Sequence, residues 1–117
     1  MNSKAQLGND GEDAATDYLT SKGYQLLERN YRYKRSEIDI ICQQGDVLVF
    51  IEVKAKSYTA FGEPEASVDE RKAAKVIEGA EQYLHEKDWR GDIRFDVISL
   101  VKNGNDFVIK HFEDAFY

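Results

Sequence analysis

The sequence contains one cysteine, one proline and no continuous apolar run long enough to cross a membrane. A spanning helix needs about 20 apolar residues, and no signal-peptide pattern opens the chain. Cys42 alone cannot form an internal disulfide, and its apolar surroundings predict that it packs in the core. These absences lead us to expect a cytoplasmic protein with no membrane partner.

Positive charge is also in short supply, because 16 Lys and Arg residues stand against 22 Asp and Glu residues, for a net charge of −6. An acidic total counts against general binding to a phosphate backbone. The distribution is uneven, however, since Arg29, Arg32, Lys34 and Arg35 fall close together and a second basic cluster occupies positions 71–75. The first cluster could bind nucleic acid or could form the solvated face of a strand.

The composition, 42% hydrophobic and 32% charged over 117 residues, is that of one globular domain covering residues 1–117. Periodicity predicts the element order αβββαββ. We expect an α/β (α+β) fold in which a mixed central sheet is flanked by helices, with the second helix as a right-handed crossover between parallel strands. The predicted helices cover residues 3–22 and 67–85, and the predicted strands cover residues 24–33, 37–42, 47–54, 93–101 and 107–112.

Local signals mark the ends of these elements. Ser3 and Ser67, each followed three residues later by Gln or Glu, predict helix N-caps, and Gly23 predicts a C-cap. Residues 57–67 have no periodicity and include the single proline. We expect them to form an exposed loop at the mouth of any site that the third strand contributes to.

Two charges interrupt the most apolar stretch of the chain, residues 47–54. Glu52 and Lys54 lie two positions apart in the predicted strand, so their side chains point to the same face. Removing both from water costs several kcal/mol each unless they meet partners or a metal. Pairing this strand with residues 37–42 as an antiparallel hairpin would bring Asp39 near Glu52.

Carboxylates gathered beside a lysine have the composition of a hard-cation site, which favours Mg²⁺ or Mn²⁺. The alternative is an ion pair at a strand end that reaches solvent. Alternation along residues 37–42 places Glu37 and Asp39 on one face and Ile38 and Ile40 on the other. Glu37 either joins the carboxylate cluster or is a solvated residue at the start of its strand.

The first predicted helix contains two glycines followed by an acidic residue. Glycine inside a helix costs about 1 kcal/mol relative to alanine, so Gly8 and Gly11 indicate a close approach to another element. Glu12 lies on or beside the buried side of the same helix. It is either a boundary residue or a carboxylate aimed at the sheet.

Asp39, followed by Glu52-Val53-Lys54, resembles the Asp…Glu-Xaa-Lys signature of the restriction-endonuclease-like nucleases, the PD-(D/E)XK superfamily. The chain as a whole is similar to the YraN-type family of uncharacterised bacterial proteins, regarded as endonuclease-like and related to Holliday-junction resolvases. The residues on which this second resemblance rests are Gly8, Gly11, Glu12, Ala15, Gly23, Tyr24, Arg29, Asn30, Glu37, Ile38, Asp39, Phe50, Ile51, Glu52, Val53, Lys54, Phe61, Gly62, Pro64, Lys72, Arg94, Phe95, Asp96 and Val97.

The resemblance implies a restriction-endonuclease-like core and a catalytic set of four residues. Asp39 and Glu52 would be metal ligands, and Lys54 would orient the attacking water or stabilise the phosphate in the transition state. Glu12 would hold the metal or a water bound to it, and Glu37 would be a further ligand. Lys56 stands where many relatives have arginine, so that residue would make a point-charge contact with phosphate instead of a bidentate one.

These observations support three hypotheses. The leading one is a Mg²⁺- or Mn²⁺-dependent endonuclease that acts on DNA in preference to RNA, with branched or damaged DNA in repair or recombination as its substrate and Arg29, Arg32, Lys34 and Arg35 as DNA contacts. The second is a non-catalytic nucleic-acid-binding module with the same fold, and the third is a small structural or partner-binding protein. A homodimer would suit the two-fold symmetry of a four-way junction, although no apolar patch in the sequence marks an interface.

Overall fold

The alternation and periodicity of the sequence yield two helices and five strands across the residues that the computed structural model describes, 4–57 and 68–116. In chain order, the elements are α1 (Lys4–Ser21), β1 (Gln25–Tyr33), β2 (Ser36–Gln44), β3 (Val47–Lys56), α2 (Glu70–Lys87), β4 (Asp92–Asn103) and β5 (Asp106–Phe112). The predicted order αβββαββ is confirmed, and the strands form one mixed sheet in the order β1-β2-β3-β4-β5. Neither helix is long and apolar enough to span a membrane.

The centre of the sheet is the parallel pair β3 and β4, whose register runs from Val47 opposite Asp92 to Lys56 opposite Val101. The other neighbouring pairs are antiparallel. A parallel pair needs a crossover connection, and α2 lies in that connection as predicted. Both central strands are buried on two faces, which explains why β3 reads as a nearly continuous apolar run.

The two helices cover opposite faces of the sheet, so the protein has three layers and two apolar clusters. Cys42 is buried in the α1 layer, as its apolar surroundings predicted. The α1 cluster includes Ala15, Leu19, Ile40, Cys42, Val49 and Ile51, and the α2 cluster includes Ile38, Ile41, Phe50, Val76, Ala80 and Tyr83. Glu52 follows Ile51 on β3, and alternation therefore turns its side chain toward the α2 layer.

The ends of the helices are fixed partly as predicted. Gly23 ends α1 with φ of 90°, and the Tyr24 N–H donates to the Leu19 carbonyl at 3.0 Å. This is a C-terminal cap that favours glycine at the left-handed position. The N-cap of α2 is Asp69, whose side chain accepts from the backbone N–H of Lys72. The prediction of Ser67 as the N-cap of α2 is therefore wrong by two residues. The predicted cap Ser3, and the predicted loop apart from Ser57, lie outside the described residues.

The expected strict alternation of β2 is wrong at its start. Ile38 packs in the α2 cluster and Ile40 in the α1 cluster, so the two side chains do not share a face. The residue across from Asp39 on β1 is Asn30, which lies between the paired residues Arg29 and Tyr31 and has φ of 53°. A left-handed residue turns the strand locally, and a simple two-residue period does not continue through such a point.

The two glycines of α1 differ in their surroundings. A Cβ atom built on Gly11 would lie 2.6 Å from the Cβ of Ala55 on β3, whereas one built on Gly8 would meet no atom of residues 4–57 and 68–116 within 4 Å. The predicted close approach is therefore confirmed at Gly11, and at Gly8 none is found among those residues. The contact of Gly11 with Ala55 sets the distance between α1 and the end of β3.

The pair of glycines offers a matched stability test. We expect Gly11→Ala to lower the free energy of unfolding by about 1–3 kcal/mol, because the new methyl group overlaps Ala55 and forces α1 away from the sheet. Gly8→Ala should raise it by up to about 1 kcal/mol, because only helix propensity changes. Urea unfolding of the two variants measures both effects. A Gly11→Ala protein as stable as Gly8→Ala would contradict the packing.

Candidate functional site

The first pair of carboxylates lies where β2 and β3 stop pairing. The antiparallel register runs from Gln44 opposite Val47 to Ile40 opposite Ile51. The next residues outward are Asp39 and Glu52, so the predicted hairpin brings them together. Asp39 Oδ2 accepts a hydrogen bond from the backbone N–H of Val53 at 2.8 Å. This bond fixes the Asp39 carboxyl group against the end of β3.

Glu52 has few hydrogen-bond partners among the described residues for a carboxylate that is mostly removed from solvent. Its side chain is 13% exposed, and its Oε1 lies 3.6 Å from Nζ of Lys72 on α2. Its Oε2 is buried and has no hydrogen-bond partner among residues 4–57 and 68–116. A buried carboxylate oxygen without a donor is costly. The site therefore has an acceptor that the described part of the chain does not satisfy.

Burial and mutual repulsion both oppose ionisation of this pair. The pKa of Asp39 is raised to about 6, mainly by burial and in part by the charges of Glu12 and Glu37, although the Val53 hydrogen bond and the Lys72 charge oppose the rise. Burial raises the pKa of Glu52 to about 7, and the nearby Asp39 adds to the effect. Two close carboxyl groups cannot both lose their protons cheaply near pH 7 unless a cation joins them.

Two further carboxylates stand at the margin of the pair. Glu12 follows Gly11 on α1, its side chain is 15% exposed, and its Oε1 lies 3.4 Å from Nη2 of Arg29. Glu37 is more exposed, with its Oε2 3.7 Å from Nη2 of Arg32. Both are close enough to Asp39 to raise its pKa. Within the described ranges, no three carboxylate, imidazole or thiol groups are close enough together to hold a metal ion.

The basic residues predicted to contact nucleic acid have different surroundings. Arg29 forms ion pairs with two residues of α1, Glu12 and Asp13, the second at 2.9 Å. Arg32 forms an ion pair with Glu37. Lys34 and Arg35 are exposed in the turn between β1 and β2, next to the start of β2. Of the four residues predicted to contact nucleic acid, Arg29 and Arg32 are therefore paired with carboxylates, and Lys34 and Arg35 are exposed at the surface.

The lysines of β3 are placed at the same end of the sheet. Lys54 is half-buried two residues after Glu52, on the same face of the strand, and Lys56 is exposed at the end of β3. The antiparallel pairing of β2 and β3 puts the end of β3 beside the start of β2. Lys34, Arg35 and Lys56 thus lie at the same end of the sheet as the carboxylate pair.

Lys72 is the one site residue that the sequence analysis left without a role. It lies four residues before Val76 and eight before Ala80, which are buried on the sheet-facing side of α2. The sequence signal for its role was a lysine at the helical spacing of the buried residues of α2, which indicates a side chain directed at the sheet. Its position in a basic cluster at the start of a helix concealed that signal.

A second buried carboxylate lies elsewhere in the sheet and is fully satisfied. Asp96 on β4 accepts from Arg94 through both oxygens at 2.9 Å, contacts His111 Nε2 at 2.7 Å, and accepts from the Asp114 N–H at 2.9 Å. Burial opposes ionisation here too, but the hydrogen bonds from His111, Arg94 and Asp114 lower the pKa of Asp96. This cluster secures β5 and residues 113–115 to the sheet.

The part of the chain that carries this site matches a known protein family. A family model described as "Uncharacterised protein family UPF0102" matches residues 11–100, a span that includes Glu12, Asp39, Glu52 and Lys54. The chain belongs to the UPF0102 family. This family is the YraN-type family that the sequence resembles.

Relatives named as UPF0102 proteins match along nearly their full length. The chain is 42% identical over 116 residues to one from Flavobacterium johnsoniae, covering 96% of this chain and 94% of the relative. It is 45% identical over 111 residues to one from Persephonella marina, covering 94% and 95%. It is 42% identical over 114 residues to one from Thermodesulfovibrio yellowstonii, covering 97% and 98%. This UPF0102 chain therefore shares its whole described fold with these relatives.

The raised pKa values predict an unusual dependence of stability on pH. Asp39 and Glu52 bind protons more tightly in the folded state, so their contribution is fully present below about pH 4 and is lost as pH rises through about 6 and 7. In chelator, we expect Glu52→Gln to match the natural protein at pH 5 and to be about 1–3 kcal/mol more stable at pH 8. Urea unfolding at both values measures this.

The control for this prediction is Glu78→Gln, which changes an exposed carboxylate on α2. Its effect on the free energy of unfolding should be small and similar at pH 5 and pH 8. An equal effect of Glu52→Gln at the two pH values would mean that Glu52 ionises normally, which contradicts the description of the pair.

Proposed function

We propose that this UPF0102 protein is a divalent-metal-dependent endonuclease that hydrolyses DNA phosphodiester bonds. The observation that supports this most is the half-buried pair Asp39 and Glu52, with a buried oxygen on Glu52 that has no hydrogen-bond partner among the described residues. Oxygen ligands of this kind suit Mg²⁺ or Mn²⁺. A cation at this position would favour the ionised form of both groups, against the burial that raises their pKa.

The arrangement of the sheet gives further support. The order αβββαββ and the position of Asp39 and Glu52 on neighbouring strands are those expected of a restriction-endonuclease-like core. The UPF0102 relatives are named only by family, so their names neither add nor remove an activity. The enzymatic proposal rests on the chemistry of the pair and on its resemblance to the PD-(D/E)XK signature.

The residues have separable roles in the proposed reaction. A bound Mg²⁺ or Mn²⁺ supplies charge for the phosphate oxygens and a water of lowered pKa. Asp39 and Glu52 would hold it, and the Val53 N–H keeps Asp39 in position before substrate binds. Glu12 would hold the metal or a water bound to it, and Glu37 would be a further ligand.

Lys54 completes the proposed catalytic set. It shares a face of β3 with Glu52, and its ammonium group would orient the attacking water or stabilise negative charge that builds on the phosphate. Such a cation needs no change of protonation during the reaction. The chain's own groups therefore supply both the ligands and a positive charge, and no covalent intermediate with the protein is required.

DNA would lie across the end of the molecule that carries this site. The exposed Lys34, Arg35 and Lys56 would contact phosphates, while Arg29 and Arg32 would act indirectly by holding Glu12 and Glu37. The family resemblance suggests branched DNA in repair or recombination as the substrate. The protein would act on it in the cytoplasm. A homodimer would match a four-way junction because both have two-fold symmetry.

A second candidate is a non-catalytic nucleic-acid-binding module. The observation that favours it is that Glu12 and Glu37 are each paired with an arginine, and no cluster of three metal-binding groups is formed within residues 4–57 and 68–116. Such a module would bind DNA in a salt-dependent way through its basic residues, without turnover.

Cleavage of labelled duplex, single-stranded, flap and four-way-junction DNA tests the enzymatic proposal. In Mn²⁺ we expect cutting of at least one substrate, no cutting in chelator, and a loss of at least about 100-fold in Asp39→Asn and in Glu52→Gln, since each variant removes a ligand charge. Both substitutions keep the shape of the side chain, and Asn retains an acceptor for the Val53 N–H. Glu78→Gln should cut at the natural rate.

Two results would decide against the enzyme. Cleavage that survives in both ligand variants would come from a different site or a contaminant. Salt-dependent DNA binding by the natural protein, with no cleavage of any of the four substrates in Mn²⁺, would favour the binding module.

A further inference from the structure

Lys72 reaches the carboxylate pair from the helix layer, and its backbone is held independently of that contact. The Lys72 N–H donates to Asp69 Oδ1 at 2.8 Å, which is the N-cap bond of α2. The next residue, Ala73, is buried, and Val76 one turn later is 1% exposed. The start of α2 therefore stays in place whether or not the ammonium group contacts Glu52.

The ammonium group of Lys72 acts on both members of the pair. Its Nζ lies 3.6 Å from Glu52 Oε1, and its charge opposes the rise in pKa of Glu52 and of Asp39. This contact leaves the second oxygen of Glu52 without a partner among the described residues. Lys72 neutralises the pair only in part.

We propose that Lys72 is the resident counter-ion of the Asp39–Glu52 pair, and that it gives up Glu52 to a divalent cation and then faces the substrate phosphate. This inference rests on the proposed function. A doubly charged ion bound to Glu52 repels the ammonium group at short range, which weakens the contact of Lys72 with Glu52. In this scheme Lys72 first acts through Glu52 and, once released, contacts the substrate phosphate directly.

The geometry permits this exchange without movement of the helix. The Lys72 side chain is 38% exposed, so solvent is already accessible to its ammonium group. Its four-carbon stem is flexible, whereas the capped and packed backbone of α2 is not. The released ammonium group would remain beside the site, where it would attract a phosphate group to the metal-loaded pair.

Calorimetric titration with Mn²⁺ at pH 8 tests the exchange. We expect Lys72→Met to bind Mn²⁺ about fivefold more tightly than the natural protein, because the competing cation is removed and the unbranched stem is kept. Lys72→Arg, which restores a cation, should bind within about twofold of the natural protein. Lys75→Met, which removes an exposed charge three residues along α2, is the matched control and should also bind within about twofold.

The same variant should lose activity although it binds metal more tightly. At saturating Mn²⁺, Lys72→Met should cleave DNA more slowly than the natural protein, because the phosphate contact is absent. A residue that only supported the fold could not produce tighter metal binding together with slower cleavage. Cleavage at the natural rate would overturn the phosphate contact.

The remaining outcomes separate this inference from the proposed function. If the natural protein binds Mn²⁺, Glu52→Gln abolishes that binding, and Lys72→Met binds Mn²⁺ no more tightly than the natural protein, the exchange is wrong and the metal site stands. If neither the natural protein nor Lys72→Met binds Mn²⁺, the exchange and the metal site are both wrong.

Discussion

The central constraint on this structure is that Asp39 and Glu52 bring two carboxyl groups together at the point where β2 and β3 stop pairing. Burial raises the pKa of Asp39 and of Glu52, and the charge of Asp39 makes ionisation of Glu52 harder still. The surrounding elements hold the pair there: Gly11 lets α1 approach the end of β3, and the cap at Asp69 fixes the start of α2. Natural proteins keep such costly arrangements mainly where they serve function.

The comparison with Asp96 shows that burial alone does not account for the pair. Asp96 is fully buried in the same sheet, yet its pKa is lowered, because a guanidinium, an imidazole and a backbone N–H all contact its oxygens. Glu52 has one lysine at 3.6 Å and an oxygen with no partner in the described part of the chain. The first arrangement is complete and structural. The second leaves a buried acceptor without a partner among the described residues, which is why we assign the proposed function to it.

Much of this could be predicted from the sequence, because the signals are local or periodic. The apolar run of β3, the hairpin that opposes Asp39 to Glu52, and Gly23 at the end of α1 all follow from short-range rules. Three features could not. The switch of faces between Ile38 and Ile40 depends on the backbone of Asn30 in a neighbouring strand, the pairing of Arg29 with Glu12 depends on the separation of α1 from the sheet, and the contact of Lys72 with Glu52 joins elements that are distant in sequence.

The most direct test of the central claim is a titration of the Asp39 and Glu52 side-chain carboxyl carbons by nuclear magnetic resonance, with and without Mg²⁺. In chelator, the account predicts that the pair titrates with pKa values near 6 and 7, and that saturating Mg²⁺ lowers both well below that range. Ordinary values near 4 in chelator, or raised values that Mg²⁺ leaves unchanged, would contradict the claim that these two carboxylates form a site for a divalent cation.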